Sequence, residues 1–165
     1  YYNLGVVFIG QGNLEKAELA LKKAIKLKSD FAIAYYNLGF ILKDLGRLKE
    51  ADSYNQKALE INPHFTDAYL SLSTLYSSNK TPKWHNQLFS ESLLKNKNNR
   101  ELVNIFFARS NIFHQEGNYQ KSAENLIKAN NIKLYMYKSE ENLLIISCTK
   151  NLYCDILRLS LHTDS

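Results

Sequence analysis

Apolar residues recur along most of this chain with the spacing of one helix face, in blocks of about 14 residues separated by short polar or glycine-containing turns. The pattern predicts helices over 1–10, 13–28, 31–45, 47–61, 65–78, 82–95, 100–116 and 118–131, followed by a further segment over 137–165. The blocks repeat. Tyr1-Tyr2-Asn3-Leu4-Gly5 returns as Tyr35-Tyr36-Asn37-Leu38-Gly39, a shift of 34, and Gly12, Leu14, Ala17 and Ala24 return with the same shift as Gly46, Leu48, Ala51 and Ala58. A third copy begins at Ala68-Tyr69-Leu70-Ser71-Leu72-Ser73. A fourth carries Phe106-Phe107, Gly117-Asn118-Tyr119, Ser122 and Ala129 after a three-residue insertion.

Each unit therefore reads as two helices joined by a turn. Gly5, Gly39 and Ser73 on the first helix, with Ala17, Ala51, Ala24 and Ala58 on the second, leave room for the pair to approach closely. Tyr1, Tyr35 and Tyr69, with Leu4, Leu38 and Leu72, fill the space between them. Pro63 stops the second helix of unit two. A single unit cannot bury its own apolar face, so neighbours must stack.

The repeat resembles the tetratricopeptide repeat over residues 1 to about 136. Unit two, Ala32 to Phe65, carries the signature most fully in Tyr35, Leu38, Gly39, Ala51, Ala58 and Pro63. The resemblance implies an all-α solenoid of antiparallel helix pairs: repeats at 1–31 (lacking its first residues), 32–65, 66–102 and 103–136, then a cap over 137–165. Unit three departs from the pattern, with Lys80 at the turn-glycine position and Thr81-Pro82-Lys83-Trp84-His85 after it. Pro82 still suits the first turn of a helix, and 95–100 reads as a polar loop. Ser139-Glu140-Glu141-Asn142 reads as a helix start for the cap, the alternative being a strand leading into another domain. With no Met at its start and opening inside a motif, the chain is expected to be a piece of a longer one.

Composition changes this picture little. The 21 Lys/Arg and 16 Asp/Glu give +5, but the excess divides as +2, +2 and +1 over 1–65, 66–102 and 103–165. The cluster Lys22, Lys23, Lys26 and Lys28 reads as a solvated helix face, so nucleic acid is not the expected partner. No apolar run reaches membrane-spanning length. Cys148 and Cys154 match neither a CxxC pair nor a disulfide framework, and read as reduced thiols of a cytoplasmic protein. His64, His85, His114 and His162 lack metal-ligand spacing. No phosphate loop, zinc motif or nucleophile elbow is present, so no catalytic residue, metal or cofactor is expected. Asn79-Lys80-Thr81 reads as a turn rather than a glycosylation site, and Trp84 as a packed residue.

Binding is the expected role. Stacked helix pairs line one surface with the first helix of every unit. The residues there are Tyr2, Asn3 and Val6; Tyr36, Asn37 and Phe40; Leu70, Ser71 and Thr74; and Phe107, Ala108 and Asn111. Lys43, Asp44 and Asp67 stand near the edge. The apolar ladder Tyr2, Tyr36, Leu70 and Phe107 and the amides of Asn3 and Asn37 suit the side chains and backbone of an extended peptide. Packing between adjacent units is the competing role for the aromatics. The carboxylate clamp of chaperone-binding members of the family is absent, since its places hold Tyr2, Val6, Asn37, Asp67 and Ser71. Asn3 and Asn37 instead resemble the asparagine ladder of O-linked N-acetylglucosamine transferases. Arg100 to Leu134 is similar to a segment of marine picocyanobacterial proteins that join such repeats to a sulfotransferase domain. That likeness implies, as an alternative role, the substrate-docking arm of a transferase whose catalytic domain lies elsewhere.

Overall fold

A computed structural model describes the backbone of residues 1–76 and 82–160, and the side chains of 1–76 and 82–139. Among the described residues the chain is helical without strands: α1 (Tyr2–Gly10), α2 (Leu14–Leu27), α3 (Ala32–Asp44), α4 (Leu48–Ile61), α5 (Thr66–Leu75), α6 (Lys83–Leu88), a 3-10 turn (Glu91–Leu94), α7 (Asn99–Gln115) and α8 (Tyr119–Ser160). Three of the hairpin turns are built alike. Gly12, Gly46 and Gly117 take φ of 71°, 75° and 76°. The residue after each donates back across the turn: Asn13 to the Phe8 carbonyl, Arg47 to Leu42, Asn118 to Phe113. Glycine holds the left-handed position that ends the first helix and aims the second back along it.

The core is shared between neighbouring units. One cluster joins Ala17 and Leu21 of α2 to Ala34, Leu38, Ile41 and Leu42 of α3 and Ala51 of α4. The other joins Ala58 and Leu59 of α4 to Tyr69 and Leu72 of α5, Trp84 and Leu88 of α6, and Ile105, Ala108 and Ile112 of α7. Such burial across unit boundaries is what makes the array an α-solenoid. Trp84 takes its expected packed place, its ring 6.4 Å from that of Tyr69 and 6.1 Å from that of Tyr76.

Two expectations from the sequence need correction. The helix expected over 82–95 breaks after α6. At Ser90 the backbone is extended (φ −70°, ψ 143°), and the Ser90 hydroxyl donates to the Gln87 carbonyl at 2.8 Å. This is a local alternative to continuing the helix. The break lets Leu88 and Leu93 both be buried. It is held from α7, where the buried Arg109 donates through Nε to the Leu88 carbonyl (2.9 Å) and through Nη2 to that of Ser90 (3.1 Å).

The second correction concerns the end of unit four. No separate helix begins at Ser139; α8 runs unbroken from Tyr119 to Ser160. Residues 118–160 contain neither Gly nor Pro to stop it. The Ser139 hydroxyl donates to the Met136 carbonyl at 2.7 Å, the behaviour of a serine inside a helix rather than at its start. The side chains of Cys148 and Cys154, the turn Asn79-Lys80-Thr81, and His162 lie outside the described residues.

Candidate functional site

The first helices α1, α3, α5 and α7 stand side by side, and their tyrosines are fixed by the unit that follows. The Tyr2 ring lies 4.8 Å from that of Phe31, just before α3, and the Tyr36 ring 5.1 Å from that of Phe65, just before α5. Both pairs are related by the 34-residue shift. The aromatics therefore do pack between units, yet Tyr2 and Tyr36 stay half-buried and each keeps a surface edge. The Asn37 amide donates to the Tyr2 hydroxyl at 3.4 Å, tying the two units and leaving its own carbonyl oxygen available.

The remaining expected positions divide by exposure. Val6 and Phe40, one repeat apart, are 41% and 38% exposed, large apolar side chains in solvent. Asn3 and Thr74 are also exposed, and Leu70, Ser71 and Phe107 half-buried. The Ser71 hydroxyl accepts from Asn55 of α4 at 3.1 Å, and the Asn111 amide donates to Ser73 at 3.0 Å. Ala108 is not on the surface. It is wholly buried in the second core cluster, because the methyl that replaces the Asn37 amide there is short and apolar enough to be covered.

A cavity of about 400 Å³ opens on this face at the N-terminal ends of α3, α5 and α7. It brings together Tyr36 and Asn37 from the expected set. It adds Ile33, Phe65, Arg100, Glu101 and Asn104, which the sequence reading left out, and draws in Asp67 from the edge. Asn104, almost fully buried, donates to the Asp67 carboxylate at 3.2 Å. Burial raises the Tyr36 hydroxyl pKa; the nearby Asp67 charge adds to this and Arg100 opposes it. Glu101 is already engaged: it accepts from Lys97 at 2.7 Å and from the Asn98 backbone N–H at 3.0 Å, closing the capping box that starts α7. Ile33 and Asp67 stand one repeat apart, a signal available in the sequence. Arg100 and Asn104 follow the insertion, which hides their register.

Away from this face, His85 Nε2 and the Tyr76 hydroxyl both approach Glu116 Oε1, at 3.2 and 3.3 Å. No group of three His, Cys, Asp or Glu among the described residues is placed to hold a metal ion. No described helix is long and apolar enough to cross a membrane.

Two family models match the chain, one described as a TPR repeat over residues 5–46 and one as a tetratricopeptide repeat over 32–65. Together the two models match residues 5–65. Solved structures extend the likeness to the fold of most of the chain. The crystal structure of MamA matches with a TM-score of 0.59 and 23% identity, over 83% of this chain and 78% of that one. The structure of BtubC from P. vanneervenii matches with a TM-score of 0.63 and 21% identity, over 83% of this chain and 63% of that one. At these identities the likeness is one of architecture, the same stacked helix pairs. No curated protein matches the sequence. The matches give no support to a picocyanobacterial, sulfotransferase-linked origin.

Proposed function

We propose that this tetratricopeptide-repeat chain is a non-catalytic protein-interaction module that binds an extended polypeptide segment along the face of its first helices. The observation carrying this reading is the cavity between α3, α5 and α7, walled by Tyr36, Phe65 and Ile33 and edged by polar side chains. Val6 and Phe40, one turn beyond Tyr2 and Tyr36 on α1 and α3, add exposed apolar side chains. An extended peptide presents what such a surface accepts: side chains for the apolar positions, and backbone N–H groups for the Asn37 and Asn104 carbonyl oxygens. Nothing observed favours the alternative role as a transferase docking arm.

The test is selection of random linear peptides against the intact chain, followed by affinity measurement on variants. Asn37→Ala and Phe40→Ala should each weaken the selected peptides, Phe40→Ala by roughly tenfold or more. Lys57→Ala on the exposed side of α4 should leave them unchanged. Peptides that bind all three variants equally would place recognition elsewhere.

A further inference from the structure

Several charges in this molecule pair with an opposite one. Lys22 and Arg47 meet Glu18, Arg47 also meets Glu50, and Lys57 and Lys97 meet Glu60 and Glu101, all at 2.6–2.8 Å. Glu101 of the groove cavity is among them, but two other charges there are not. Asp67 and Arg100 both line it, both act on the Tyr36 hydroxyl, and neither forms an ion pair with the other or with any other described residue. One Asp67 oxygen is held by Asn104, which fixes the carboxylate in place and leaves the second oxygen for another donor. Arg100 is exposed at the start of α7, with its guanidinium donors open.

A ligand of one charge sign would satisfy one of these groups and be repelled by the other. A segment carrying both signs satisfies both. Resting on the groove reading above, we infer that this cavity selects a polypeptide segment with one basic and one acidic side chain close together, the basic one directed to Asp67 and the acidic one to Arg100. The aromatic walls suit this pairing. Tyr36 and Phe65 cover the aliphatic stem of a lysine or arginine while its charged end reaches the carboxylate. Because the two contacts oppose each other in sign, the segment's net charge matters less than its pattern.

The experiment uses one peptide enriched in the selection and its three neutralised forms: basic residue to Gln, acidic residue to Gln, and both. Each is titrated against wild type, Asp67→Asn and Arg100→Gln, near-isosteric changes whose folding is checked by circular dichroism. Neutralising the basic residue should weaken binding to wild type by roughly threefold to fivefold and leave binding to Asp67→Asn unchanged. Neutralising the acidic residue should do the same for wild type and Arg100→Gln. Enriched peptides that lack such a charge pair, or four forms that bind wild type alike, overturn the inference. If those peptides still depend on Phe40, the groove reading stands without it. A selection that yields no binder removes both.

Discussion

Tyr36 meets Phe65 edge-on, with ring centroids 5.1 Å apart and planes at 77°, so one ring both lines the groove and joins unit two to unit three. Removing it acts on two quantities at once. Tyr36→Ala should lower stability by about 1–3 kcal/mol through lost burial and lost ring contact, as well as weakening any groove ligand. Tyr36→Phe keeps the ring and should keep the melting temperature. A thermal melt of the three proteins separates the packing role from recognition, which is why Phe40 is the cleaner probe of binding.

Gly39 is fixed by its neighbours. A Cβ there would lie 2.6 Å from Asn55 Nδ2, 2.9 Å from Asn55 Cγ and 3.1 Å from the Ala51 carbonyl oxygen. Asn55 is fully buried and bonded to the Ala51 carbonyl and to Ser71, so it has nowhere to go. Gly39→Ala should therefore destabilise by roughly 1–3 kcal/mol, and Ala51→Trp by at least as much. Denaturant midpoints at unchanged m-value are the check.

Arg109 takes the place of regular hydrogen bonding where α6 stops. Arg109→Met keeps an apolar stem but leaves the Leu88 and Ser90 carbonyls without their donor, and should cost roughly 2–3 kcal/mol. Hydrogen exchange should show the loosening first in 83–94, ahead of α1–α3. A uniform loss of protection across the chain would contradict this role.

Acid should act on the junction of units one and two. The Glu18 side chain is only 13% exposed, and this burial by itself would raise its pKa. The hydrogen bonds from Lys22 and Arg47 outweigh that and hold it below its ordinary value of 4.5. A carboxylate held low contributes stability that is complete above the unfolded value and is lost as pH falls through the folded one. The stability difference between wild type and Glu18→Gln should then be constant at neutral pH and shrink as pH drops below about 4.5. A difference that does not change with pH would show that these ion pairs contribute nothing.

Salt separates a peptide ligand from a polyanion. A groove with one open carboxylate and one open guanidinium should lose less than about tenfold in affinity between roughly 50 and 200 mM salt, where neutralising many phosphates loses 10³–10⁵. Titrations at two ionic strengths decide it.

The fold was legible because its determinants repeat. The 34-residue return of glycine, alanine and tyrosine marks the close contacts and turns directly, as Gly39 against Asn55 and Gly46 at φ 75° show. Where a unit departs from the repeat, local competition decided the outcome and the sequence pattern did not display it. Ser90 turns the chain out of its helix, and the absence of Gly or Pro after residue 117 carries α8 past its expected end. The groove was half legible. Tyr36 and Asn37 follow from helix periodicity, whereas Arg100 and Asn104 reach the same cavity only through the stacking of α7 on α5.

The most direct test of the groove is photo-crosslinking from single positions. A photoreactive phenylalanine analogue at Val6 or Phe40 on the first-helix face, or at Ser53 or Lys57 on the exposed side of α4, is irradiated with protein partners present. The adducts are mapped by mass spectrometry. Crosslinks from positions 6 and 40 to one short continuous stretch of the partner, with none from 53 and 57, are the predicted result. Crosslinks from 53 and 57 alone would contradict it and assign the work to the opposite face.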